Sequence, residues 1–143
     1  MYPSPVVSST VEAHFVGQTA ANIIALKVQS ILEENSTCLI GLSGSSSLHN
    51  MYALLGQNKQ VEWRHVTFFA VDETFVPGNP LRSGSTLAAA KGSFTGSRFV
   101  FPNVKIAGVA ECCRQYENEL ENLLQLPDIV IVTVEEGFCS FAL

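Results

Sequence analysis

Cys38-Leu39-Ile40-Gly41-Leu42-Ser43-Gly44-Ser45-Ser46-Ser47 is the stretch that decides the fold. Its first five residues are a short apolar run between turn-forming residues. That pattern suits a strand covered on both faces, as in a parallel sheet. The serine-rich turn then leads into a helical pattern, with Leu48, Met51, Tyr52 and Leu55 on one face and Gly56 as the expected C-cap. A strand, a tight small-residue turn and a helix make half of a βαβ unit.

The same alternation extends in both directions. Upstream, Ser9-x-x-Glu12 reads as a capping box. It opens a long helix whose apolar stripe is Val16, Ala20, Ile23, Ile24, Val28, Ile31 and Leu32. Downstream, Val66 to Val71 is a second buried strand, with Asp72 and Glu73 just past its end. Ser85 to Lys91 fits a short helix, and Arg98–Phe101 and Val104–Val109 offer one or two strands. Cys113, Tyr116, Leu120, Leu123 and Leu124 mark a fourth helix, and Asp128 to Val134 is a strongly β-branched strand. The expectation is an α/β fold: an open, mostly parallel, Rossmann-like sheet with helices on both faces. No repeat or linker divides the chain, so residues 1–143 are read as a single domain.

Composition narrows the function. The chain has 47% hydrophobic and 15% charged residues, which places it among globular proteins. Its formal net charge is −5 and no basic stripe occurs, so nucleic acid is not an expected partner. No apolar run approaches the roughly 20 residues of a membrane span, and no signal-peptide pattern opens the sequence. Cys38, Cys112, Cys113 and Cys139 lack metal-binding spacing and read as free thiols of a cytoplasmic protein.

In open parallel sheets, ligands bind beyond the carboxyl ends of the strands. Ser43, Gly44, Ser45, Ser46 and Ser47 lie there, where small residues and the N–H groups of a helix start suit a phosphate. The loop is not a Walker A motif, and an ordinary tight turn with serine caps would look the same. Asp72 could act as a general base if partly desolvated, or it could simply cap a turn. Arg82 could reach a phosphate or remain on the surface. Of the three histidines, only His49 falls near the serine loop.

These segments, taken in order, resemble the 6-phosphogluconolactonase family and, more distantly, the glucosamine-6-phosphate isomerases/deaminases. Gly41-Leu42-Ser43-Gly44-Ser45-Ser46-Ser47 is similar to that family's G-L-S-G-G-S loop. Trp63, with Val66 through Asp72-Glu73-Thr74-Phe75-Val76-Pro77, is similar to its W-x-x-V-x-F-x-x-x-D-E-R-x-V-P segment. Asp128 to Ser140 resembles the strand that leads into G-x-G-P-D-G-H-T-x-S. Three departures stand out: Thr74 replaces the family's Arg, Glu136 its Asp, and Phe138 the His used in activating water.

The resemblance implies a phosphorylated sugar or sugar lactone as ligand, held by Ser43–Ser47 and Arg82, with no metal or cofactor. It implies a base-activated water attacking the lactone carbonyl, as a hydrolase of the pentose phosphate pathway. With Phe138 unable to take a proton, Asp72 or Glu136 would have to serve as base. The alternative is a pseudoenzyme that keeps the fold as a binding or assembly module. Family members continue past the position of Leu143, so the sheet is expected to be incomplete at its C-terminal side. A homo-oligomer or protein partner would then cover that edge. A fragment or alternative product of a longer enzyme would look the same.

Overall fold

The computed structural model describes residues 15–73, 85–106 and 108–133. Four strands form one sheet in the order β3-β2-β1-β4: β1 is Cys38–Ser43, β2 Val66–Asp72, β3 Arg98–Val100 and β4 Ile129–Val130. Every pairing is parallel. The helices are α1 (Val16–Glu34), α2 (His49–Gly56), α3 (Ser85–Ser93) and α4 (Val109–Glu121). This is the open parallel α/β architecture that the alternating pattern predicts.

Side-chain alternation explains the layering. Cys38, Ile40 and Leu42 of β1 pair with Val66, Phe68 and Ala70 of β2, so all six share one face and are buried. Ala21, Ala25 and Val28 of α1, Met51, Tyr52 and Leu55 of α2, and Leu87 and Ala90 of α3 join them in one core. Trp63, Phe68 and Phe94 form its aromatic centre, with the Phe68 and Phe94 rings stacked at 4.4 Å. Burying each such side chain contributes about 1.5–3 kcal/mol. The chain leaves β3 at one edge and re-enters the sheet beside β1 as β4. A right-handed crossover in that reversed direction runs over the opposite face, which is where α4 belongs.

Several local expectations need correction. The inward face of α1 is set by Ala21, Ala25 and Val28, while Val16 and Ile23 are exposed. The small alanines allow α1 to pack closely, which a reading weighted toward large side chains misses. Gly56 does not end α2 in a left-handed cap, since the C-cap is Gln57 in the helical region. It is a close-approach position instead: a Cβ there would lie 2.2 Å from the Ser93 carbonyl oxygen at the end of α3.

The described residues of Val104–Val109 do not form a strand. Asn103 captures the N–H of Lys105 with its side chain (3.2 Å) and that of Ile106 with its carbonyl (3.1 Å), which makes a turn. In α4 the buried thiol is Cys112, and Cys113 is exposed. Leu124 lies beyond that helix, 93% exposed. Regular pairing of β4 covers only Ile129–Val130, extended by Asp128 N–H to Leu39 C=O and Ile131 N–H to Gly41 C=O, both 2.9 Å. The Ser9–Glu12 capping box lies outside the described residues.

Candidate functional site

The carboxyl ends of β1 and β2 stand side by side, and their register changes there. Leu42 pairs with Ala70, but Ser43 pairs with Asp72, leaving Val71 as an extra residue in β2. Such a bulge bends its strand and re-aims the side chains beyond it. Asp72 is therefore the last residue of β2, rather than the first residue past it, and faces Ser43.

The result is a clamp. Asp72 Oδ1 accepts the Ser43 hydroxyl at 3.0 Å and the Gly44 N–H at 2.9 Å. The Gly44 N–H also approaches the Asp72 carbonyl at 3.1 Å. Gly44 has to be small: a Cβ would lie 2.8 Å from that carbonyl oxygen and 3.1 Å from Glu73 Oε1. Ser43 is fully buried, and its hydroxyl accepts the Ser45 N–H at 3.2 Å while donating to Asp72. Its side chain is thus committed to shaping the loop. The Ser45 and Ser47 hydroxyls bond to each other at 2.9 Å. Ser46 and Ser47 are exposed and open a short 3-10 turn, Ser46–Leu48, that runs into α2.

The structure brings Ser43, Gly44, Ser45, Ser46, Ser47 and Asp72 into one constellation, although the loop and the carboxylate are 29 residues apart in sequence. Arg82, Glu136, Thr74 and Phe138 lie outside the described residues. His49 is the first residue of α2 and is exposed. Sequence reasoning missed Tyr52 as part of this site. It was recognisable only as an inward residue of α2, yet its hydroxyl donates to the Ser43 carbonyl at 2.6 Å. Burial, and next the charge of Asp72, hold its phenol well above the ordinary range.

In sequence, Tyr116 likewise shows only as an inward residue of its helix. Its hydroxyl accepts the Ala70 N–H at 2.6 Å and donates to the Ala70 carbonyl at 2.7 Å. Between α4 and the end of β2 lies a cleft of about 210 Å³, whose lining includes Val71, Asp72, Glu73, Val109, Cys113 and Tyr116. Among the described residues, no group of three or more His, Cys, Asp or Glu side chains could hold a metal ion. No described helix is long and apolar enough to cross a membrane.

The profile of the glucosamine-6-phosphate isomerases/6-phosphogluconolactonase family matches residues 12–136. The chain belongs to that family. It is similar to a probable 6-phosphogluconolactonase of Dictyostelium discoideum, 25% identical over 136 residues, covering 89% of this chain and 57% of the relative.

Among solved structures, the 6-phosphogluconolactonase of Thermotoga maritima superposes with a TM-score of 0.68 at 19% identity, over 81% of this chain and 54% of that one. The enzyme of Shewanella baltica gives 0.69 at 19% identity, over 80% and 50%. At that identity the likeness speaks for the fold. The chain spans 50% to 57% of the length of these relatives.

Proposed function

We propose that this family member binds a phosphorylated sugar lactone through the loop Ser43–Ser47 and takes part in its hydrolysis to the open-chain acid. The Asp72 clamp carries this reading. One carboxylate oxygen holds both the Ser43 hydroxyl and the Gly44 N–H, so the loop reaches the start of α2 already ordered. Preorganised N–H groups at a helix start suit a phosphate, because ordering costs are met before the ligand arrives. The substrate is 6-phosphoglucono-lactone, the activity that of a carboxylic-ester hydrolase of the pentose phosphate pathway, and the location the cytoplasm. Residues 1–143 act as a single domain, and Arg82 adds a cation to the phosphate.

Mechanistically, the scissile carbonyl lies beyond the carboxyl end of β2. Asp72, with Glu136 as the second carboxylate, takes the proton from the attacking water. Expulsion of the ring oxygen, which takes that proton back as it leaves, then opens the lactone to the hydroxy acid, and the oxyanion that develops on the carbonyl needs donors close to it.

A second reading retains ligand binding without turnover, in a module that associates with another protein or a second copy. It is favoured by Phe138, which stands where the resemblance expects a proton-accepting His. Calorimetric titration with 6-phosphogluconate, beside the Ser45→Glu variant, tests the shared step. Saturable binding that the added carboxylate abolishes is expected. Absence of heat from the unsubstituted chain would sink the phosphate site. Turnover of the lactone above its spontaneous hydrolysis then separates the enzyme from the module.

A further inference from the structure

The bulge at Val71 breaks the β1–β2 ladder at the step from Leu42 to Ser43. On its other edge β1 bonds to β4 through the carbonyls of Leu39 and Gly41, ending at Ile131, so the next carbonyl on that side, that of Ser43, needs another partner. Here the Ser43 carbonyl receives the Tyr52 hydroxyl at 2.6 Å. Tyr52 is 1% exposed, and its ring packs edge-on to Phe94 with centroids 6.4 Å apart. The ring is thus fixed by the aromatic core while the hydroxyl reaches the first residue of the serine loop. Ser43 is held from two sides, its side chain by Asp72 and its carbonyl by Tyr52.

We propose that Tyr52 is a positioning residue of the serine loop, transmitting the rigidity of the core to the loop backbone that an anionic ligand would meet. It does so through the Ser43 carbonyl and without touching the ligand. The geometry is economical: a carbonyl fixed at Ser43 sets the peptide plane that carries the Gly44 N–H, which Asp72 then locks. A phenol is protonated at neutral pH, so the hydroxyl is a standing donor to that carbonyl. The ligand part of this inference rests on the phosphate reading of the loop; the positioning part does not.

Tyr52→Phe keeps the ring in the core and removes only the hydroxyl. Two readouts on the full chain separate positioning from bulk stability. Amide hydrogen exchange is expected to speed up roughly tenfold at Gly44 and Ser45, whose N–H groups are held by Asp72 and by the Ser43 hydroxyl, with the amides of α1 and the middle of β1 unchanged. Affinity for 6-phosphogluconate is expected to weaken by about five- to tenfold, the size of one lost neutral hydrogen bond.

Unchanged exchange in the loop would overturn the proposal. So would a uniform increase across the whole sheet, which would mark Tyr52 as a general stabiliser. Altered exchange beside unaltered affinity would overturn its link to the ligand. Failure of the unsubstituted chain to bind would instead sink the phosphate reading, while the exchange data still decide whether Tyr52 positions the loop.

Discussion

The Tyr116 hydroxyl occupies the space between the N–H and the C=O of Ala70, accepting from the first at 2.6 Å and donating to the second at 2.7 Å. β3 pairs with β2 as far as Val100 opposite Phe69, so Ala70 stands where that ladder ends. One side chain from α4 therefore caps both backbone groups of Ala70 at the end of the ladder. Burial raises the Tyr116 phenol above its ordinary range, and the bond to Ala70 offsets part of that rise.

Tyr116→Phe should then leave both Ala70 groups without that partner, two residues before Asp72. The expected loss is about 1–3 kcal/mol, the usual cost of unpairing buried polar groups. Urea unfolding should show a lower midpoint with an unchanged slope. Unaltered stability would mean that water replaces the hydroxyl without loss.

Gly56→Ala separates two explanations of one glycine. In a freely accessible helical position, alanine stabilises by about 1 kcal/mol. At Gly56 the new methyl would meet the Ser93 carbonyl at 2.2 Å, so α2 and α3 would have to move apart. Overpacking of this kind costs about 1–3 kcal/mol, and destabilisation is the expected outcome. A raised thermal midpoint would show that α3 gives way easily.

The parts of this fold legible in the sequence are those fixed by local pattern. Cys38–Leu42 and Val66–Val71 read as strands because their apolar, partly β-branched runs are short and bounded by turns. The inward face of α2 followed from its spacing. What escaped was set by distant partners. Val104-Lys105-Ile106 alternates like a strand, yet Asn103 turns it, and the Pro102-Asn103 pair was the available signal.

Phe94 gave no periodic signal, though it is fully buried against Trp63 and Phe68. For the site, the residue types of the serine loop and Asp72 were visible. Their bonding was not, because it depends on one extra residue at Val71. A bulge is a property of the pairing of two strands, and neither strand carries it alone.

The thiols should divide by burial. Burial, and next the charge of Asp128, push the Cys38 thiol up to about 12 from an ordinary 9.0. Cys112 is also raised, by burial and then by Cys113, which is itself exposed. Alkylation mapped by mass spectrometry should therefore label Cys113 well before Cys38 or Cys112. In the unfolded chain the Cys38 thiol ionises near its ordinary value, whereas in the fold it stays neutral to about 12. Its contribution to stability is thus complete below pH 9.0 and is lost as the pH rises from there toward about 12. Urea midpoints measured from about pH 8 to about pH 11 should fall, and Cys38→Ala should flatten that fall. Rapid native labelling of Cys38 would contradict its burial.

Asp72 carries two proposed duties, and isosteric substitution separates them. As a clamp it needs only an oxygen that accepts from the Ser43 hydroxyl and the Gly44 N–H. As a base it needs a carboxylate able to take a proton. Asp72→Asn retains the first property and removes the second, so loop order and unfolding midpoint should stay close to those of the unsubstituted chain. Lactone turnover should fall by about 10²–10⁴-fold, the range for loss of a general base. Asp72→Ala removes the acceptor as well. It should destabilise the fold by about 1–3 kcal/mol, because the buried Ser43 hydroxyl loses its acceptor and Gly44 its lock. Undiminished turnover in Asp72→Asn would confine Asp72 to the clamp and move the base to Glu136, where Glu136→Gln would then have to abolish it.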